Sequence, residues 1–76
     1  MKKKAKRSYF KDEEAIRRVG QRIREIRTSK KISQYNLAND YSQINRMELG
    51  KVNFSISSLL RIAKALGVDP KDFLDW

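Results

Sequence analysis

The most distinctive chemical feature of this sequence is its large number of cationic side chains. Eighteen Lys and Arg residues stand against nine Asp and Glu residues, which gives a formal net charge of +9 at pH 7. Such an excess of cations predicts a polyanionic partner. Nucleic acid is the first candidate, an anionic membrane surface is the second, and the third alternative is a basic domain that is merely soluble. Five of the cations recur within one short segment: Arg17, Arg18, Arg22, Arg24 and Arg27.

Histidine and cysteine are both absent from the sequence. Their absence excludes disulfides and the usual zinc sites, and it removes the most common general base at neutral pH. No P-loop or glycine-rich phosphate motif occurs, and helix caps and ion pairs account for the carboxylates. We therefore expect no enzyme activity, no metal, no cofactor and no small-molecule substrate.

The segment that carries the five arginines is predicted to be an amphipathic helix. Acidic residues at 12–14 suit the positive end of a helix dipole and mark its start near Asp12. Gly20 lies on the apolar stripe, where its missing side chain lets another helix approach closely. The stripe has spacings of three, four and three residues, typical of one buried helical face: Ile16, Val19, Ile23 and Ile26.

Three further helical segments are predicted from capping residues. Ser33 suits the N-cap of a second helix, and Ser55 or Ser57 suits that of a helix ending at Leu66, with Gly67 as its stop. Asp69 and Pro70 begin a last short turn, whose apolar face consists of Phe73, Leu74 and Trp76. No segment shows strand alternation, so the predicted class is all-α. The helices also lack the bulky aromatic face of an interfacial membrane helix.

Two parts of the chain are distinguished by composition. Residues 1–11 are predicted to be a disordered basic arm, and residues 12–76 one small domain. The arm either contacts DNA, by following phosphates or reaching into a minor groove, or acts as a solubilising tail. Since there is no run of about 18 apolar residues and no apolar signal-peptide core, we expect the protein to stay in the cytoplasm, associated with the nucleoid.

Four stretches in order carry a more specific signal. They are GQRIREIR at 20–27, ISQYNLA at 32–38, INRMELGK at 44–51 and LLRIAKALGV at 59–68. Together they resemble the Cro and phage-repressor (XRE-type) helix-turn-helix family over roughly residues 19–74. The resemblance implies a five-helix, lambda-repressor-like bundle that lays its third helix in the major groove while its second helix crosses the backbone.

The resemblance also implies roles for individual residues. Gln34 matches a glutamine that binds a phosphate, and Lys51 matches a backbone-contacting residue after the recognition helix. Arg suits bidentate contact with guanine, and Asn or Gln suits adenine. The residues on or beside the recognition positions are Ser42, Gln43, Asn45 and Arg46.

Each of these roles has a simpler alternative. Ser42 suits a helix cap and Gln43 a solvated surface, while Arg46 suits a surface salt bridge. Tyr35 either touches a phosphate or covers the core. Arg27 and Glu48 match an Arg–Glu pair of the family that links helix 1 to the recognition helix, and we interpret that pair as structural.

The connection between helix 2 and the recognition helix departs from the family pattern. Gln34 and Gly50 are sixteen residues apart, about four fewer than in the family. Because four residues are close to one helical turn, the apolar stripe continues in phase across the gap. Helices 2 and 3 therefore either fuse into one rod over residues 33–49, which favours a domain-swapped homodimer, or meet at a tight turn at Asn39 and Asp40 in a compact bundle.

The function predicted from these observations is sequence-specific binding of double-stranded DNA by a homodimer, as a transcriptional repressor or similar regulator. One alternative is an antitoxin-like protein-interaction module, since antitoxins often use this fold. Another is a deletion variant that forms a domain-swapped dimer with weakened specific DNA binding. In that case, salt-sensitive binding driven by charge would remain.

Overall fold

The computed structural model describes residues 12–37, 41–53 and 55–74. It contains the helices α1 (Glu13–Ser29), α2 (Gln34–Leu37), α3 (Tyr41–Glu48) and α4 (Ile56–Leu66), followed by a 3₁₀ turn (Pro70–Phe73). These ranges contain no β-strand, so the all-α prediction is confirmed. None of their helices is long and apolar enough to cross a membrane. The predicted basic arm, residues 1–11, lies outside the described residues.

The helix ends lie where the capping residues predicted them. Asp12 caps α1, because its Oδ1 accepts a hydrogen bond from the backbone N–H of Ala15 at 3.0 Å, and Glu13 and Glu14 occupy the first turn. Ser33 Oγ accepts the N–H of Asn36 at the start of α2. Of the two serines proposed for α4, the cap is Ser55, which accepts the N–H of Ser58.

The C-terminal part of the bundle differs from the expected five helices. Gly67 ends α4 in the left-handed conformation, with φ 73°, and Asp69 then caps Pro70 as predicted. The segment that follows is only a four-residue 3₁₀ turn. It places Phe73 fully inside the core, but Leu74 is half exposed, contrary to the prediction that it shares the buried face. Trp76 lies outside the described residues.

A single hydrophobic core joins α1, α3, α4 and the 3₁₀ turn. The most deeply buried large side chains are Ile23, Met47 and Phe73, one from each of three different elements. The short helix α2 buries no residue completely, and only Leu37 packs partly against the core. The buried residues of the core are Val19, Ile23, Ile44, Met47, Leu59, Ile62, Ala63, Leu66 and Phe73.

Of the two arrangements left open for residues 33–49, the continuous rod is wrong. Gln34 Nε2 donates to Glu48 Oε1 at 3.0 Å, whereas fourteen residues of straight helix would separate the two positions by about 21 Å. The chain therefore folds back between α2 and α3, and the described core closes within one chain. The domain swap was predicted from the rod and loses that support. The alternative turn at Asn39 and Asp40 falls in residues 38–40, outside those described.

Close contact between α1 and α3 depends on Gly20. A Cβ at this position would overlap the backbone carbonyl oxygen of Met47 and lie 3.1 Å from that of Glu48. Since both neighbours are backbone atoms, neither moves without shifting α3 as a whole. This confirms the prediction that the glycine on the apolar stripe allows another helix to approach.

We expect Gly20→Ala to destabilise the fold, although alanine favours a helix interior by about 1 kcal/mol. Because the added Cβ would overlap backbone atoms, overpacking of the α1–α3 contact should cost about 3 kcal/mol. The net loss should then be about 2 kcal/mol, measured by urea unfolding. Gln21→Ala, at the exposed neighbouring position of α1, is the matched control and should change the unfolding free energy little. A Gly20→Ala protein as stable as the wild type would contradict the close packing.

Candidate nucleic-acid interface

Helix α3 presents one apolar face to the core and one polar face to solvent. Ile44 and Met47 are buried, while Ser42, Asn45 and Arg46 are exposed. Asn45 and Arg46 lie three and four residues after Ser42, so both adjoin Ser42 on the same side of the helix. The stretch proposed to enter a DNA groove is therefore at the surface of the described chain, as base recognition requires.

The end of α3 places a cation beside this polar face. Gly50 adopts φ 73°, and the backbone N–H of Lys51 returns to the carbonyl of Arg46 at 2.9 Å. The chain is thereby turned away from the helix axis at the exposed Lys51. This position suits the backbone-contacting role that the family resemblance implies.

A buried ion pair fixes α3 against α1. Arg27 Nε and Nη2 donate to the two carboxylate oxygens of Glu48 at 2.6 and 3.0 Å. The two side chains are only 11% and 3% exposed. Arg27 Nη1 also donates to the carbonyl of Ile32 at 2.8 Å, which ties the loop before α2 to the same guanidinium. The structural interpretation of this pair is confirmed.

Gln34 extends the ion pair toward the surface. Its Nε2 donates to Glu48 Oε1 at 3.0 Å and to Asn45 Oδ1 at 3.2 Å. An amide nitrogen carries two hydrogens, so both are used inside the protein. Contact of Gln34 with a phosphate stays a prediction, but a phosphate oxygen would have to replace one of these two acceptors.

Gln43 is the least exposed of the predicted site residues on α3. Its side chain is half-buried and lines a cleft of about 200 Å³ between α3 and α4, together with Ile44, Ser58 and Arg61. Asn45 instead lines a depression of about 170 Å³ on the opposite flank of α3. The structure thus brings Gln34 and Asn45 together and leaves Gln43 on another side of the helix.

Two surface residues near the site were not singled out from the sequence. Arg24 lines the same depression as Gln34 and Asn45, which adds an exposed cation one helical turn before Arg27. Leu49 is 50% exposed at the end of α3, close to the polar face. In the sequence, Arg24 is one of five arginines of α1, but helical periodicity does not show which of the five faces α3.

Tyr35 is 68% exposed, so it does not cover the core.

Comparison with known proteins identifies the family. A helix-turn-helix family model matches residues 23–73, more than half of the chain. The chain belongs to the XRE-type helix-turn-helix family. It is 44% identical over 62 residues to the control protein C.BamHI of Bacillus amyloliquefaciens, a match covering 75% of this chain and 76% of that protein.

A solved structure supports the same assignment. The chain resembles the crystal structure of the restriction-modification controller protein C.AhdI from Aeromonas hydrophila with a TM-score of 0.74 and 37% sequence identity. The match covers 76% of this chain and 94% of that one. The prediction of a DNA-binding transcriptional regulator is confirmed by the family, and the antitoxin-like alternative gains no support.

We expect the fold to be strongly destabilised when only one partner of the buried Arg27–Glu48 pair is removed. Glu48→Leu should cost about 3–5 kcal/mol, because it leaves a buried guanidinium unpaired. The double variant Arg27→Met/Glu48→Leu should recover a large part of that loss, since no buried charge remains. Urea unfolding of both variants measures the difference.

The exposed pair between Arg18 and Glu14, with side chains 46% and 66% exposed, is the control for this experiment. Glu14→Gln should cost less than about 1 kcal/mol. If Glu48→Leu were no more destabilising than Glu14→Gln, the buried pair would not be the link between α1 and α3.

Proposed function

We propose that this protein is the controller of a restriction–modification system, which binds an operator in double-stranded DNA as a homodimer. The observation that carries the proposal is the exposed polar face of α3, in a chain 44% identical to a control protein over 62 residues. A regulator of this kind acts where the DNA is, and we place it in the cytoplasm, at the nucleoid.

In the proposed complex, α3 lies in the major groove and its exposed side chains contact base edges. Arg46 has the donors for a bidentate contact with guanine O6 and N7, and Asn45 suits adenine. Ser42 lies one helical turn before Arg46 and suits either a base or a phosphate. Gln43 is the weakest of the predicted base contacts, because its side chain is half-buried at the cleft toward α4.

Cations around this face suit the sugar–phosphate backbone. Lys51 follows α3 directly, and Arg24 lies across the depression beside Asn45. Contacts of this kind set orientation and affinity but carry no sequence information. The lysines and arginines of residues 1–11 add to the same electrostatic attraction, which falls as salt rises.

Arg46→Ala should remove a base preference and not merely weaken binding. Selection from random duplex DNA at about 0.15 M salt, where nonspecific contacts are weakened, should give a shared motif with the wild type. We expect one position of that motif to lose its preference in the variant, at a cost of about 1–3 kcal/mol for the preferred base.

Two variants control for the lost charge. Arg18→Ala removes the same charge from α1, where Arg18 pairs with Glu14, and should leave the motif intact. Lys51→Ala should weaken binding about equally for all sequences. Equal recovery of all sequences by the wild-type chain would refute sequence-specific recognition.

The contact between two copies is proposed to lie on α4. Ile56 and Leu60 are 72% and 50% exposed and one helical turn apart, so they adjoin each other on one side of the helix. A chain with net charge +9 repels its own copies, and an uncharged apolar patch is where that repulsion is weakest. A two-fold axis through the patch would pair these residues with their own equivalents.

Leu60→Lys should convert the dimer into a monomer without unfolding it, because the side chain is already half exposed. Size-exclusion chromatography with light scattering at low micromolar concentration should show the mass falling toward 9.0 kDa, with circular dichroism unchanged. Leu74→Lys, at a position 53% exposed, is the matched control and should remain dimeric. A monomeric wild type, or dissociation by the Leu74 change alone, would contradict the α4 contact.

A further inference from the structure

The five arginines of α1 divide into two groups. Two of them, Arg17 and Arg24, are exposed and make no ion pair with a carboxylate of residues 12–37, 41–53 and 55–74. Their charges are therefore not neutralised within the described chain. The other three are paired with carboxylates at N–O distances of 3.2 Å or less: Arg18 with Glu14, Arg22 with Glu25 and Arg27 with Glu48.

Both unpaired arginines lie on the side of α1 that packs against α3. Gly20 marks the line of closest approach, because a Cβ at this position would overlap the carbonyl oxygen of Met47. Arg17 and Arg24 are three residues before and four residues after Gly20, so they adjoin it on the same side of the helix. They are about 10.5 Å apart along the helix axis and lie on either side of the contact with the end of α3.

The contacts of the two side chains agree with this placement. Cβ and Cγ of Arg17 lie 3.4 and 3.5 Å from the position that a Cβ on Gly50 would take. The stem of Arg17 therefore runs beside the turn that ends α3. Arg24 lines the depression of about 170 Å³ that Asn45 also lines, on the flank of the polar face of α3.

Three cations lie in one region at the end of α3. Arg17 contacts Gly50, Lys51 follows that glycine, and the backbone N–H of Lys51 bonds to the carbonyl of Arg46 at 2.9 Å. All three side chains are exposed, and none pairs with a described carboxylate. Like charges repel one another at short range. A polyanion bound at this region would replace that repulsion with attraction.

We infer that α1 also contacts DNA, through Arg17 and Arg24, each bound to a separate phosphate beside the groove that holds α3. The planar guanidinium fork matches two phosphate oxygens. Phosphates of one strand repeat about every 3.4 Å along the duplex axis, so arginines about 10.5 Å apart on the helix reach different phosphates. The inference rests on the proposed function, since it assumes that α3 lies in the groove, and it extends the DNA-binding surface to Arg17.

The test measures how DNA affinity depends on salt, by fluorescence anisotropy of a labelled duplex that carries the selected motif. Each phosphate contact contributes about 0.9 to the slope of log K against log salt. Arg17→Ala and Arg24→Ala should each lower that slope by about 0.9. Between about 0.05 and 0.20 M NaCl, the affinity advantage of the wild type over each variant should then shrink by about 3.5-fold. Base preferences should not change, because phosphate contacts carry no sequence information.

Arg18→Ala is the matched control. It removes the same charge from the neighbouring position, where the arginine is already paired with Glu14 at 3.1 Å, and it should keep a slope close to that of the wild type. Arg17→Lys retains a cation and should also keep the wild-type slope, which separates a phosphate contact from packing of the Arg17 stem beside Gly50. Circular dichroism and thermal unfolding of each variant exclude a loss of fold.

Two results would overturn the inference. Slopes that fall equally in Arg17→Ala, Arg24→Ala and Arg18→Ala would show that only the net charge matters. Unchanged slopes in the first two variants would show that α1 does not touch the DNA. Failure of the proposed function is distinguishable, because the wild type would then select no motif. The same slopes measured on an arbitrary duplex would still decide whether α1 contacts phosphates.

Discussion

The geometry of the whole site depends on the buried ion pair between Arg27 and Glu48. It joins α1 to the end of α3 through two hydrogen bonds, and Arg27 adds a third bond to the chain before α2 through Ile32. A buried charge without its partner is strongly unfavourable, so these segments are held in one arrangement. Helix α2 buries no residue completely. It is therefore held in place mainly by polar contacts, whereas the other helices are held by packing.

The side chains that are hydrogen-bonded to this pair become more exposed step by step toward the surface. Glu48 is almost fully buried, Gln34 is half-buried and Asn45 is exposed, and each is hydrogen-bonded to the next. These contacts link the buried ion pair to the exposed polar face of α3 through hydrogen bonds between side chains.

What the sequence by itself determined was local: the caps at Asp12, Ser33, Ser55 and Asp69, the stop at Gly67, and the apolar face of each helix. These follow from hydrogen bonds and periodicity within a few residues. Periodicity reports which face is buried but not whether the helix is continuous, so it could not choose between a continuous rod and a turn. Only the tertiary structure decided that Gln34 reaches Asn45 and Glu48, eleven and fourteen residues away, because such bonds depend on how the helices pack.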